Sequence, residues 1–172
     1  MPLEPMTTAL HGIAAAIFVG GMLTAAVSDL RAYLIPNWVS IAIALAFFPA
    51  AFAKGFDGAT ILRHVGIGAA TLLVGFVLSL RWIGGGDAKL LAASAVWVGV
   101  GMLMPYLFLV AVAGGIVTLL LIGFRRLPLP ARLDAIAWVH RLHAKDEGVP
   151  YGIGIAVAAL IIFPRLPVVG WA

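Results

Sequence analysis

The sequence predicts an all-α membrane protein, a polytopic bundle of about six transmembrane helices. Of its 172 residues, 63% are hydrophobic and only 10% are charged, and the mean hydropathy is +1.13. Soluble domains usually carry about a quarter charged residues, so a water-soluble fold is not expected. The 11 Lys and Arg residues are dispersed between apolar runs. Anionic lipid headgroups explain this pattern better than nucleic acid does.

Six apolar segments predict the helices. Residues 12–27, 38–53 and 65–80 contain no ionisable side chain, and each extends toward the roughly 20 residues that cross a bilayer. Residues 90–124 are too long for one crossing, and Gly99, Gly101 and Pro105 offer a turn that divides them into two spans. Residues 149–164 are short, so a re-entrant helix remains an alternative to a sixth span. Backbone groups inside a bilayer must pair locally, which predicts helices throughout.

Basic residues predict the orientation. Residues 1–8 lack the charged region of a cleavable signal peptide, so the first run is expected to stay as a span. Six spans place 28–37, 81–89 and 125–148 on one side. That side holds most of the basic residues: Arg31, Arg81, Lys89, Arg125, Arg126, Arg132, Arg141 and Lys145, against Lys54, Arg63 and Arg165. The positive-inside rule then puts these loops in the cytoplasm and both termini in the periplasm.

The longest loop, 125–148, belongs to what we expect to be a single membrane-embedded domain over residues 1–172. Leu133, Ile136, Ala137 and His140 lie at helical spacing between residues 131 and 145, beside several basic residues. This pattern fits a short amphipathic helix on the cytoplasmic surface. A solvated linker helix without a role fits it as well.

Asp29 and Asp87 differ from the other five acidic residues, which fall in loops or the N-terminal tail. Asp29 closes the first span and Asp87 opens the fourth, so both are expected at the cytoplasmic membrane boundary. An ionisable group there is costly without a partner or a water-filled cleft, which makes each a candidate functional residue. Two carboxylates in one site can hydrolyse a peptide bond, because one accepts a proton from water while the other, protonated, donates to the carbonyl.

The residues around these aspartates allow several interpretations. Gly84-Gly85-Gly86 precedes Asp87, and glycine lets another backbone approach closely, although an ordinary flexible turn would look the same. Lys89 fits a contact with lipid phosphate better than a chemical role. Arg31 could pair with Asp29, bind lipid phosphate or anchor a substrate. Pro36 suits the first turn of the second span.

No metal site is predicted. The chain has no cysteine, which excludes Cys-ligated zinc and iron–sulfur sites. His11 and His64 are expected toward the outer face, whereas His140 and His143 share the cytoplasmic loop. His140-x-x-His143 lacks the glutamate of a metallopeptidase helix.

Three stretches together resemble the type IV prepilin peptidase family of GxGD-type intramembrane aspartic proteases, in the short form of Flp-type, tight-adherence pili. They are Asp29-Leu30-Arg31 with Ile35-Pro36-Asn37, Gly84-Gly85-Gly86-Asp87-Ala88-Lys89, and Val149-Pro150-Tyr151-Gly152. Their order extends the resemblance over nearly the whole chain.

The resemblance implies a bacterial inner-membrane endopeptidase without a cofactor. Asp29 and Asp87 would be the catalytic pair, and the substrate would be a Flp-type pilin or pseudopilin precursor cut after the last glycine of its cytoplasmic leader. The residues expected to bind the substrate or support the site are Arg31, Pro36, Asn37, Gly84, Gly86, Lys89, Pro150, Tyr151 and Gly152. The long forms of the family also methylate the new N-terminus. This chain lacks cysteine and the Cys-rich domain, so methyltransferase activity is not expected.

Two other classes of function remain open. A small transporter or proton channel also uses paired membrane carboxylates, but it more typically sets them near mid-membrane between inverted repeats. An assembly factor that keeps the fold without catalysis is the third interpretation. The sequence leaves the oligomeric state undetermined.

Overall fold

The computed structural model describes residues 4–81 and 84–170, and the elements in these ranges are helical, without a strand. The prediction of an all-α membrane protein is confirmed. The helices are α1 (Glu4–Ala32), α2 (Asn37–Ala53), α3 (Gly58–Ser79), α4 (Gly85–Arg126), α5 (Ala131–Asp134), α6 (Ala137–His143) and α7 (Tyr151–Ile162), followed by a 3-10 turn (Phe163–Arg165). In this part of the chain, α1, α3 and α4 are long and apolar enough to cross a membrane, and α2 and α7 are shorter apolar helices.

The longest helix, α4, is broken at Gly99. This residue has φ 65° and ψ 178°, a backbone conformation that favours glycine. Twelve residues of straight helix would rise about 18 Å, yet the hydroxyls of Ser94 and Tyr106 are 2.6 Å apart. The chain therefore folds back at the break, and residues 90–124 form two segments as predicted.

His64 of α3 fills the space at this break. A side chain on Gly99 would meet the His64 ring at 2.5 Å, and His64 Nδ1 lies 2.7 Å from the carbonyl oxygen of Val96. A helix that ends at residue 98 leaves its last carbonyls without intrahelical partners. The buried imidazole supplies one such partner and packs against the ring of Phe47.

The buried core joins α1, α2, α4 and α7. Phe18 of α1 lies against Trp97 of α4 with ring centroids 4.7 Å apart, and Trp97 Nε1 donates a 2.8 Å hydrogen bond to the carbonyl oxygen of Ile43 in α2. Large apolar side chains elsewhere stay exposed, including Leu62, Met104 and Leu119 at 71% each. An outer surface of this kind suits lipid rather than water.

The chain reverses at each successive connection, so the ends of α1, α3 and α4 lie with the starts of α2, α4 and α7 at one end of the bundle. All eight basic residues of the predicted cytoplasmic side lie at this end or in the 127–150 loop. At the opposite end, His11 contacts the carbonyl of Val168 at 2.9 Å and Lys54 donates to that of Gly170. The chain ends 1–3 and 171–172, for which a periplasmic position is predicted, lie outside the described residues.

The amphipathic helix predicted for 131–145 is wrong in its extent and in its apolar face. Two short helices, α5 and α6, replace it, and the chain leaves helical geometry at Ile136. The buried residues are Val139 and Leu142, whereas Leu133 and Ile136 are 42% and 39% exposed. The apolar spacing continues through residue 136 and therefore predicts a single helix. In the structure a separate helix, α6, begins after Ile136 and packs against α1 and α4.

Candidate active site

Asp29 lies in the last turn of α1 and is only 5% exposed. Its Oδ2 accepts a 2.7 Å hydrogen bond from the backbone N–H of Gly152, and it also interacts with the N–H of Ile153. Both N–H groups belong to the first turn of α7. The Gly152 N–H has no intrahelical acceptor there, whereas the Ile153 N–H also donates to the carbonyl oxygen of Pro150 at 3.3 Å. The carboxylate thus occupies the positive end of the α7 dipole, which offsets the cost of its burial.

Glycine is the one residue type that fits at position 152, beside Asp29. A Cβ on Gly152 would lie 2.8 Å from Asp29 Oδ2 and 2.8 Å from Cδ1 of Ile35. Real Cβ atoms do not approach neighbours so closely. The Pro150-Tyr151-Gly152 segment therefore acts through backbone contact with the first aspartate.

Asp87 lies in the first turn of α4, whose N-cap is Gly84. Its carboxylate reaches back to the backbone of Gly84, as the third residue of a capping box does. A Cβ on Gly84 would lie 3.1 Å from Asp87 Oδ2, and one on Gly86 would lie 3.2 Å from Cβ of Ile35, while Gly85 has open space. The spacing Gly-x-Gly-Asp thus matches the two positions where the backbone is crowded.

The two aspartates line one cavity of about 290 Å³ at the basic end of the bundle. They are close enough to interact electrostatically. Asn37 and Lys89 line the same cavity, and Lys89 Nζ donates a 2.9 Å hydrogen bond to Asn37 Oδ1. Lys89 is exposed, so the lipid-phosphate contact predicted for it stays a prediction beside this hydrogen bond.

Five predicted site residues do not line this cavity themselves: Arg31, Pro36, Pro150, Tyr151 and Gly152. Pro36 is the N-cap of α2 and directs the chain into that helix. Pro150 is the N-cap of α7, and the ring of Tyr151 packs over Gly114, where a Cβ would lie 2.9 Å from Cε1. Arg31 is exposed and lines a separate surface depression with Val27 and Ser28. The structure therefore brings together every predicted stretch but leaves the Arg31 side chain outside the cavity.

Tyr33 is a cavity residue that the sequence analysis missed. It follows α1 with φ 52°, a left-handed conformation that is uncommon for a bulky residue and is a hint of function. The backbone N–H of Tyr33 donates a 2.8 Å hydrogen bond to the carbonyl oxygen of Asp29. The Ser28 hydroxyl donates a 2.6 Å hydrogen bond to the carbonyl oxygen of Leu34. Burial raises the pKa of the Tyr33 phenol, so this group stays protonated near neutral pH.

Arg125, at the end of α4, is a second residue that was missed. Its Nε donates to the carbonyl of Leu142 at 2.8 Å, and one terminal nitrogen donates to that of Gly148 at 2.9 Å. Its guanidinium also lies near the buried Tyr33 hydroxyl, which has no well-formed hydrogen bond to a described residue. In the sequence Arg125 is one of eight basic loop residues, and nothing distinguishes it from Arg126.

The histidines do not approach the aspartates. His11 and His64 lie toward the opposite end, and His140 Nδ1 pairs with Asp134 Oδ1 at 2.7 Å on the loop surface. Within residues 4–81 and 84–170, no three His, Cys, Asp or Glu side chains are grouped as metal ligands would be.

The fold and this cavity define a helical membrane protein with two acidic side chains at one end of the bundle. Residues 16–119 match the type IV leader peptidase family, and because this match covers more than half of the chain, the protein belongs to that family. The matched range contains both aspartates, Asn37 and Lys89, but not the Pro150-Tyr151-Gly152 segment. Neither a curated protein nor a solved structure matches the chain.

Proposed function

We propose that this member of the peptidase family is an aspartic endopeptidase that removes the leader from a Flp-type pilin or pseudopilin precursor at the cytoplasmic face of the bacterial inner membrane. The observation that carries the proposal is the cavity shared by Asp29 and Asp87. Family membership supports peptide hydrolysis, and the pairing of two carboxylates supports an aspartic mechanism over a nucleophilic one.

The reaction follows from a pair of carboxyl groups that holds one proton, a state favoured by repulsion between two negative charges in one site. The ionised group takes a proton from water, whose oxygen attacks the scissile carbonyl carbon, while the protonated group donates to the carbonyl oxygen. The tetrahedral intermediate then collapses and the C–N bond breaks. The leaving nitrogen takes up a proton from the protonated carboxyl group, and one hydroxyl of the intermediate returns its proton to the ionised carboxylate, which restores the singly protonated pair. No metal or organic cofactor takes part.

The position of the cavity supports a cytoplasmic cut. The eight basic residues at its end of the bundle favour the cytoplasm under the positive-inside rule. A substrate with a basic leader and an apolar helix would then present the junction between them at the depth of Asp29 and Asp87. The short form of the family suits Flp-type precursors.

The test is cleavage of a Flp-type pilin precursor by purified protein in lipid with EDTA present, with the cut mapped by mass spectrometry. Asp87→Asn should lower the rate about 10³-fold. Asp57→Asn is the matched control, because Asp57 caps α3 at the opposite end and asparagine is an equally good N-cap. Uncleaved precursor, together with a proton flux in liposomes that Asp87→Asn suppresses, would replace the peptidase by a transporter.

A further inference from the structure

An apolar groove of about 490 Å³ opens between α2 and α3, with the first half of α4 as its floor. The helix contacts explain the opening. Helix α2 packs on α1 and α4, and α3 packs on α4, but α2 and α3 are not packed against one another along their length. The bundle is therefore open to the bilayer on this side.

The groove adjoins the aspartate cavity. Asn37 and Lys89 line both spaces, and the hydrogen bond between them stands at the junction. An extended chain held beside Asp29 and Asp87 can therefore continue past this pair of side chains into the groove without crossing a helix.

The walls of the groove suit a guest helix. Ala44 of α2, Ala69 of α3, and Ala92 and Ala93 of α4 line it, and small residues let helix backbones approach closely in a membrane. The buried hydroxyl of Ser40 also lines the groove and has no hydrogen-bond partner among the described residues. The Ser40 hydroxyl can donate a hydrogen bond to a backbone carbonyl of the guest helix that accepts no hydrogen bond within that helix.

We propose that this groove binds the apolar helix of the substrate while the peptide bond to be cut lies between Asp29 and Asp87. This inference rests on the proposed function and specifies how the substrate enters. The shared wall of groove and cavity argues for the substrate helix over a lipid chain or a second copy of the protein, because only the substrate must pass from the aspartates into the bilayer.

Cysteine crosslinking tests the groove without turnover, and the chain has no native cysteine to remove. Ala69→Cys and Ala70→Cys are adjacent exposed positions of α3, of which Ala69 lines the groove; their directions differ by about 100° around the helix. Each is combined with Asp87→Asn and mixed with a synthetic precursor. The precursor has a basic leader ending in glycine, an apolar helix of about 20 residues, and one cysteine two turns into that helix.

A disulfide to the precursor should form at Ala69→Cys and not at Ala70→Cys. Equal crosslinking at both positions, or none at Ala69→Cys, would overturn the inference. A disulfide between two Ala69→Cys chains that persists when precursor is added would assign the groove to a second copy, which also overturns it. Cleavage of the same precursor by the wild-type chain tests the proposed function separately. A crosslink at Ala69→Cys without cleavage would refute the proposed function but not the binding of the precursor helix in the groove.

Steric filling provides a second measurement. Ala69→Phe should raise KM for the precursor about tenfold. Forcing added volume into a packed contact costs about as much free energy as a tenfold change in affinity. Ala70→Phe adds the same ring outside the groove and should leave KM and kcat at wild-type values. Equal changes for the two variants would mean that the groove does not bind the substrate helix.

Discussion

The backbone N–H of Gly152 donates a 2.7 Å hydrogen bond to Oδ2 of Asp29 across 123 residues of sequence. This contact joins the end of α1 to the start of α7. Pro150 is the N-cap of α7 at this point, and Arg125 donates a hydrogen bond to the carbonyl oxygen of Gly148, two residues earlier. The position of the first aspartate thus depends on a segment contributed by the last helix.

Gly152→Ala should lower peptidase activity about a hundredfold, because its Cβ would lie 2.8 Å from Asp29 Oδ2 and a displacement near 1 Å has an effect of this order on catalysis. Cleavage rates of purified protein are the measurement. Gly115→Ala is the control, since a Cβ there meets nothing within 4 Å. Full activity of Gly152→Ala would mean that the contact does not position Asp29.

The glycine triplet should show a graded response. Gly85→Ala should keep most of the activity because its Cβ enters open space. Gly86→Ala places a Cβ 3.2 Å from Cβ of Ile35, so it should slow cleavage about tenfold. The comparison is made in one cleavage assay at matched expression. If Gly85→Ala were the more damaging change, the spatial explanation of the Gly-x-Gly-Asp spacing would be wrong.

Arg125→Ala should destabilise the protein by about 1–3 kcal/mol, because it removes hydrogen bonds to two backbone carbonyls. The midpoint of thermal unfolding in detergent should fall by about 2–4 °C for each kcal/mol lost. Arg126→Ala, at the exposed neighbouring residue, serves as the comparison. Equal midpoints of thermal unfolding for the two variants would mean that Arg125 does not stabilise the segment that leads into α7.

The proposed orientation can be tested by labelling single cysteines with a membrane-impermeant reagent in intact cells. Ala32 and Ala135 are exposed at the aspartate end, and Ala59 is exposed at the opposite end. Only Ala59→Cys should react, since the positive-inside rule predicts a cytoplasmic position for the other end. Strong labelling of Ala32→Cys or Ala135→Cys would reverse the orientation and move the cavity to the periplasmic side.

The sequence predicted the helices well because long apolar runs have few alternatives in a bilayer. It also located the break in α4, since Gly99 supplies the positive φ that a reversal needs. The contact between Gly152 and Asp29 could not be derived from pattern alone, because it depends on how α1 and α7 pack. The 131–145 loop was misread since its apolar spacing continues through the turn at Ile136. Tyr33 and Arg125 carry no local signal that separates them from other boundary residues.

The most direct test of the account compares precursor cleavage by Asp29→Asn, Asp87→Asn and the double mutant under single-turnover conditions. Asparagine keeps the size of each side chain but cannot transfer the proton, so each single variant should lose about 10³-fold in rate. Residues that act as one unit do not have additive effects, so the double mutant should be hardly slower than either single variant. Substantial cleavage by either single variant, with expression and membrane insertion intact, would contradict a catalytic pair.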